Sequence, residues 1–202
     1  KYEMTQEQWE RMAGANPSRW TAETDNSWIP GVHPVEQVSW SDCMALLPTV
    51  GLELPSEAQW EYGCRAGTDT ARPFAFEEFA KHANIRDEAY NRTFTGADDG
   101  GSWDDGHGSH GPVGSLLPNA FGLYDVIGNA REWCLDGYDS RFYEDSPPVD
   151  PVSPFSGLGT RMYRGGGYDN TAIFARSAKR NVNAPSYADN NLGVRPARVI
   201  TD

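Results

Sequence analysis

Glycine and proline limit how much regular structure this chain can form. Its 202 residues include 21 glycines and 14 prolines, and both residue types interrupt helices and strands. Hydrophobic residues make up only 38%, but 7 tryptophans offer large side chains that can fill a core. The sequence therefore predicts a single loop-rich domain over residues 1–202.

The charge balance and the cysteines narrow the functional classes. The net charge is −12, whereas nucleic-acid-binding domains usually present a basic patch, so no nucleic-acid partner is expected. No hydrophobic run approaches the length of a membrane span, and no signal sequence is recognisable in this chain. Cys43, Cys64 and Cys134 are odd in number and lack metal-site spacing. We expect Cys43 and Cys64 to be small buried residues.

Local patterns predict short elements. Capping residues predict three helices: over residues 6–13 after Thr5, from Ser39 to Pro48, and from Ser56 to Gly67. Short strands are predicted at residues 121–124, 131–133 and 162–164. Residues 69–118 are predicted to be mostly loop, and His107 and His110 within it are expected to be solvated rather than to bind a metal.

The C-terminal region combines a fixed-looking frame with irregular sequence. Arg164-Gly-Gly-Gly-Tyr168 and Leu192-Gly-Val-Arg195 contain residues that suit tight backbone turns and ion pairs. Residues 169–174 and 181–191 between them show neither a helical period nor a strand alternation. Irregular surface on a rigid frame is where binding residues are concentrated, so this region is the candidate binding site.

Several segments, in order along the chain, carry a family resemblance. They include His33-Pro-Val-Glu-Gln-Val-Ser-Trp40, Leu54-Pro-Ser-Glu-Ala-Gln-Trp-Glu-Tyr62, Pro118-Asn-Ala-Phe-Gly-Leu-Tyr-Asp125 and Gly193-Val-Arg195. Together they resemble the formylglycine-generating-enzyme/sulfatase-modifying-factor family. The resemblance implies an α+β fold of the C-type lectin type, loop-rich with short strands and a few helices.

The enzymatic members of that family use a cysteine pair shortly after the Arg-Gly-Gly motif, one of them as a copper-binding thiolate. Residues 168–180 of this chain contain no cysteine. The resemblance therefore implies a protein that is not an enzyme and has no catalytic cofactor. A formylglycine-generating-type oxidase or a related sulfatase-modifying-factor enzyme remains the alternative, and an ordinary lectin-fold binding or scaffold module is a further one.

Within the family, the frame is most similar to the variable proteins of diversity-generating retroelements. Their mutagenesis acts on adenines, and Asn codons changed in this way cannot encode Lys, Glu, Gln, Met or Trp. All candidate positions between residues 164 and 195 obey that restriction, and five are still Asn. Chance enrichment of Asn in a turn-rich loop is the competing explanation. The candidate variable residues are Asp169, Asn170, Thr171, Ile173, Phe174, Asn181, Val182, Asn183, Ala184, Ser186, Tyr187, Asp189, Asn190 and Asn191.

This resemblance also sets expectations for partners and location. It implies a macromolecular ligand of unknown identity, expected to be a protein. It further implies display on the cell surface or outside the cell, with membrane contact only through an N-terminal lipid anchor outside this chain.

The family resemblance implies structural Ca²⁺, a hard ion that prefers oxygen ligands. One predicted site uses the Asp125 and Glu132 side chains with the Gly128 and Ala130 carbonyls. A second uses Asn84, the Ile85 carbonyl and Asp98. The alternative for Glu132 is an ion pair with an arginine such as Arg131 or Arg176.

Overall fold

The computed structural model describes residues 1–23, 28–94, 100–154 and 159–199. Its helices are α1 (Gln6–Ala13), α2 (Trp40–Leu46), α3 (Glu57–Arg65), α4 (Phe79–His82) and α5 (Glu88–Thr93). Its strands are β1 (Arg131–Gly137), β2 (Arg161–Arg164), β3 (Asn181–Asn183) and β4 (Leu192–Gly193). None of the helices in these ranges is long and apolar enough to cross a membrane.

The four strands form one sheet in the order β3-β2-β1-β4. β1 is central: it pairs antiparallel with β2 and parallel with β4, while β2 pairs antiparallel with β3. The register of the β1–β2 pair shifts between Trp133 and Gly137. The sheet therefore brings the start of the candidate variable region, its middle and its end alongside one another.

The sheet separates two hydrophobic clusters. Trp133 and Tyr163 pack into one cluster with Trp9 of α1, and Cys134 and Met162 pack into the other with Trp60 of α3. Successive strand residues point to opposite faces of a sheet, which explains this division. The chain thus buries both faces of a small sheet, and large aromatic side chains supply much of the packing volume.

The capping predictions are confirmed. Thr5, Ser39 and Ser56 each accept a hydrogen bond from the backbone N–H three residues later, and that later side chain bonds back to the cap. Each reciprocal pair satisfies backbone donors that the first helical turn leaves free. α2 ends at Leu46, before Pro48, and the chain continues as a 3₁₀ helix, Leu47–Val50.

One sequence prediction is wrong here. Residues 121–124 form a turn rather than a strand, because the Asn119 side chain accepts hydrogen bonds from the backbone N–H groups of Phe121 and Leu123. Residues 69–118 are mostly loop, as predicted, although the short helices α4 and α5 lie within them. The Asp87 side chain caps the start of α5. A single capping residue among many turn residues is a weak helix signal, so the sequence did not predict this helix.

A buried arginine joins the ends of the chain to the sheet. The Arg195 guanidinium donates to both carboxylate oxygens of Glu132 on β1, at 2.7 to 3.1 Å. It also donates to the carbonyls of Lys1 and Tyr124, at 2.9 and 2.7 Å. Trp60 of α3 completes the set by donating to Glu132 at 2.6 Å. One side chain thus connects the first residue, a turn and the central strand.

A glycine substitution tests the close approach of two backbone segments. A Cβ on Gly128 would lie 2.1 Å from the Asn84 carbonyl oxygen, and Gly128 has a φ of +87°. Gly51 also has a positive φ, +71°, but open space around it. We expect Gly128→Ala to lower the free energy of unfolding at least about 2 kcal/mol more than Gly51→Ala does. Urea titration measures both, and equal losses would contradict the close approach.

Candidate ligand-binding surface

The candidate variable residues lie at the surface. Thirteen of the fourteen are exposed or half-buried, and Asn191 alone is buried. Asn181, Val182 and Asn183 form the edge strand β3, so the expectation of no strand at this place is wrong. Their partner residues on β2 lie far away in sequence, and alternation over three residues gives too weak a pattern to detect it.

A first group of these residues meets on Arg131 of β1. The Arg131 guanidinium donates to the Asn170 side chain at 3.2 Å and lies 3.5 Å from the Asp169 carboxylate. Asn191 donates to the same carboxylate at 2.7 Å. Because Asn170 also accepts a hydrogen bond from the Gly167 backbone N–H, the group is tied to the glycine triplet.

A second group lies beside it. The Tyr187 hydroxyl donates to the Asp189 carboxylate at 2.6 Å, and that bond raises the pKa of Tyr187 to about 12. The Arg131 guanidinium lies over the Tyr163 ring, and Tyr187 packs against the cluster that contains Tyr163, so the two groups are neighbours. We call Asp169, Asn170, Tyr187, Asp189, Asn190 and Asn191 the polar patch. It brings together residues that are up to 22 positions apart in sequence.

The remaining candidates do not all share that surface. Tyr163, which pairs with Asn181, belongs to one hydrophobic cluster, whereas Val182 packs against the other. Ile173 and Phe174 are 64% and 45% exposed and follow Ala172, which packs in the same cluster as Val182. The fourteen residues therefore cover both sides of the sheet edge instead of a single face.

Glu36 is a buried carboxyl residue that is linked through Trp20 to Tyr168, and the sequence pattern did not reveal this role. It accepts the Trp20 backbone N–H at 2.7 Å, and the Trp20 indole donates to the Tyr168 hydroxyl at 3.1 Å. Glu36 is fully buried, and its second carboxylate oxygen has no hydrogen-bond partner. Burial raises the pKa of Glu36 to about 7. Its place inside the segment His33–Trp40 was the available signal.

In the first predicted calcium site, the Glu132 carboxylate already accepts hydrogen bonds from other side chains. Both Glu132 oxygens accept hydrogen bonds from Arg195 or Trp60, so Glu132 has an arginine partner, although neither Arg131 nor Arg176 supplies it. The Ala130 backbone N–H donates to Glu3 at 2.9 Å. Burial raises the pKa of Asp125 to about 6. The Glu132 oxygens that this predicted site would use therefore already accept hydrogen bonds from protein donors.

The second predicted calcium site contains buried oxygen atoms that have no hydrogen-bond partner. The Asn84 side-chain oxygen is buried without a partner, and Ile85 follows it in the buried core. Asp98 lies outside the described residues. Asp105 lies close by, since the Ile85 backbone N–H acts to lower its pKa. One Asp105 oxygen accepts the His107 backbone N–H at 2.7 Å, and the other oxygen is buried without a partner. Within the described residues, no three His, Cys, Asp or Glu side chains form a ready-made metal group.

Comparison with known proteins places the chain in a family. The profile of the sulfatase-modifying factor enzyme 1-like domain matches residues 1–200. The chain belongs to this family. A curated relative, the formylglycine-generating enzyme of Streptomyces coelicolor, is 38% identical over 168 residues, 82% of this chain and 52% of the relative. The chain thus spans about half the length of that relative.

Two solved structures have folds similar to the fold of this chain. PvdO from Pseudomonas aeruginosa has a TM-score of 0.80 at 26% identity, covering 98% of this chain and 78% of its own. Treponema denticola variable protein 1 has a TM-score of 0.75 at 25% identity, covering 96% and 83%. The expected loop-rich α+β fold of the C-type lectin type is confirmed.

The three cysteine side chains of this domain are buried. Cys43, Cys64 and Cys134 are all free and fully buried, as predicted for the first two. Burial raises the pKa of all three, that of Cys64 to about 12. Cys64 on α3 lies 3.5 Å from the Ser177 hydroxyl. Each thiol is therefore protonated at neutral pH, and thiolate chemistry is disfavoured.

The raised pKa of Glu36 predicts a pH effect on stability. The folded protein keeps this proton up to about pH 7, whereas the unfolded chain releases it near pH 4.5. The carboxyl therefore contributes stability at low pH that is lost as the pH rises through 7. Glu36→Gln should reduce the difference in unfolding free energy between about pH 5 and pH 8 by about 2–3 kcal/mol.

Urea unfolding across that pH range measures the effect. Exposed Glu10 on α1 provides the matched control, since Glu10→Gln should leave the pH dependence as it is in the unmodified chain. An unchanged pH dependence in Glu36→Gln would show that this carboxyl is ionised in the folded protein.

Proposed function

We propose that this domain binds a macromolecular ligand through the polar patch and its surroundings and catalyses no reaction. The observation that carries the proposal is the convergence of Asp169, Asn170 and Asn191 on Arg131, beside Tyr187 and Asp189. Amide, carboxylate and tyrosine side chains of this kind form adaptable contacts in binding surfaces. Asp169, Asn170, Tyr187 and Asp189 are half-buried, which leaves part of each side chain available to a large partner, and we propose that this partner is a protein.

The chemistry of the thiols supports the non-catalytic part. An oxidase of the formylglycine-generating type needs reactive cysteines after the Arg-Gly-Gly motif, and residues 168–180 contain none. The identity to enzymes of that name favours the alternative function. Copper-dependent oxygen consumption with a cysteine-containing peptide would establish the enzyme, and its absence alongside an active relative would support binding.

We further propose that the surface is diversified by a retroelement, with residues 164–195 as the variable region of one domain. Buried Arg164, Ala175, Ser177 and Arg195 form the frame, whereas nearly all candidate positions reach solvent. A reverse-transcriptase gene beside an imperfect copy of the 169–191 coding segment would support this. A locus with neither would leave a lectin-fold module with a fixed ligand. Display at the cell surface, through a lipid anchor outside this chain, belongs to the same proposal.

A diversified surface must accept substitution without loss of stability. Ile173, Phe174, Ala184 and Ser186 are all exposed. Replacing the four together with Ser, Ser, Asn and Asn should change the free energy of unfolding by no more than about 1 kcal/mol. Ala175, fully buried between these positions in sequence, is the matched control, and Ala175→Asn should cost about 3 kcal/mol. Urea titration compares them, and similar losses would contradict a tolerant surface.

We propose that Ca²⁺ stabilises the domain near Asn84 and Ile85, with Asp105 as the carboxylate ligand in place of the predicted Asp98. The unpartnered oxygens of Asn84 and Asp105 support this, since a hard cation takes carboxylate and amide oxygens. Burial, followed by the charge of Asp87, raises the pKa of Asp105 to about 8, a cost that a bound cation would remove.

Thermal unfolding tests the calcium proposal. Free Ca²⁺ at about 100 times its Kd should raise the Tm by at least about 5 °C over the chelated protein. Asp105→Asn should abolish the difference, whereas Asp145→Asn at an exposed position should keep it. A Tm that is the same in calcium and in chelator would overturn the proposal.

A further inference from the structure

Large apolar side chains are exposed where two distant segments of the chain meet. Phe76 is 55% exposed, and Ile173 and Phe174 are 64% and 45% exposed. The segments adjoin, because the Ala71 carbonyl accepts the Ser177 backbone N–H at 2.9 Å. Single exposed apolar residues are common on protein surfaces, but several large ones on adjoining segments are typical of an interaction surface.

Arg72 connects the two segments. Its guanidinium donates to the carbonyl of Ala172, the residue before Ile173, and its central carbon lies 5.8 Å from the centroid of the Phe76 ring. Burial, followed by the charge of Arg176, lowers the pKa of Arg72. A neighbouring cation that lowers this pKa adds positive charge to the surface instead of neutralising it.

Two further cations lie beside the exposed side chains of residues 173 and 174. Arg176 donates to the Ile173 carbonyl at 2.9 Å, and the Lys179 ammonium lies 5.4 Å from the centroid of the Phe174 ring. In the part of the chain that the structure describes, none of the three cations has an Asp or Glu within ion-pair distance. We call this surface the apolar-basic patch; its residues are Arg72, Phe76, Ile173, Phe174, Arg176 and Lys179.

The acidic residues that follow Phe76 do not cancel the charge of the patch. Glu78 pairs with Lys81, with 3.6 Å between its carboxylate and the ammonium. Glu77 is exposed, and three cations outnumber it. The patch is therefore positive, although the domain as a whole carries a net charge of −12. An acidic partner segment complements the patch, whereas an extended anionic membrane would also face the repulsion of the whole domain.

We propose that the apolar-basic patch binds an acidic protein segment that carries aromatic or aliphatic side chains. The carboxylates of that segment pair with the three cations, and its apolar side chains cover the three exposed apolar residues. Arginine and aromatic side chains are enriched at the centres of protein interfaces, which fits this composition.

The apolar-basic patch is separate from the polar patch. Ala172 packs against one hydrophobic cluster of the sheet, whereas Tyr187 packs against the other. The proposal rests on the proposed binding function, since Ile173 and Phe174 are candidate variable residues. Oxygen consumption tests that function and peptide binding tests this surface, so the failure of one is distinguishable from the failure of the other.

Fluorescence anisotropy with three labelled peptides of about ten residues provides the test. The first peptide alternates Asp and Glu with Phe and Leu. The second has Ser in place of the apolar residues, and the third has Lys in place of the acidic ones. We expect saturable binding of the first peptide, weakened by added salt, and at least about tenfold weaker binding of the other two.

Two variants at exposed positions locate the binding. Phe174→Ser and Arg176→Glu should each weaken binding of the first peptide about tenfold. Phe121→Ser and Arg141→Glu, which change exposed residues elsewhere, are the matched controls and should bind as the unmodified chain does. Each of the two variants tests the patch by itself, so one remains informative if the other fails to fold.

Four outcomes would overturn the proposal. They are no binding of the first peptide, equal binding of the basic peptide, unchanged binding in both folded variants of the patch, and binding to vesicles of phosphatidylcholine and phosphatidylserine in place of the peptide.

Discussion

The buried ion pair between Arg195 and Glu132 is the interaction on which the arrangement of this domain depends. It connects the C-terminal segment to the central strand, and the same guanidinium reaches the Lys1 and Tyr124 carbonyls. Removing one partner from such a pair leaves an uncompensated buried charge, which typically costs about 3–5 kcal/mol. Because β4 ends two residues before Arg195, this pair also fixes the end of the polar patch that Asn191 forms.

Glu132 and Arg131 are adjacent on β1, and their side chains make different contacts on opposite faces of the sheet. Glu132 points toward Trp60 and the buried network, whereas Arg131 lies over the Tyr163 ring and holds Asp169 and Asn170. Strand alternation makes this possible, since adjacent side chains leave the sheet in opposite directions. Consecutive residues of one strand therefore anchor the buried network and the polar patch.

The chemistry of the segment after the glycine triplet supports the proposed binding function. This chain offers amides, hydroxyls, carboxylates and aromatic rings there, and its thiols are buried and protonated. Such side chains suit reversible contact and cannot replace a soft, electron-rich copper ligand. The fold, by contrast, is common to proteins with different names and does not decide between the two functions.

The sequence by itself determined the helix starts at Thr5, Ser39 and Ser56, the loop-rich character and the family, because capping and turn chemistry are local. It failed at residues 121–124, where one Asn119 side chain organises a turn, and at β3, which exists only through its pairing with β2. The partner of Glu132, the burial of Glu36 and the burial of His110, which was expected to be solvated, were decided by tertiary structure. Each depends on residues distant in the sequence that only folding brings together.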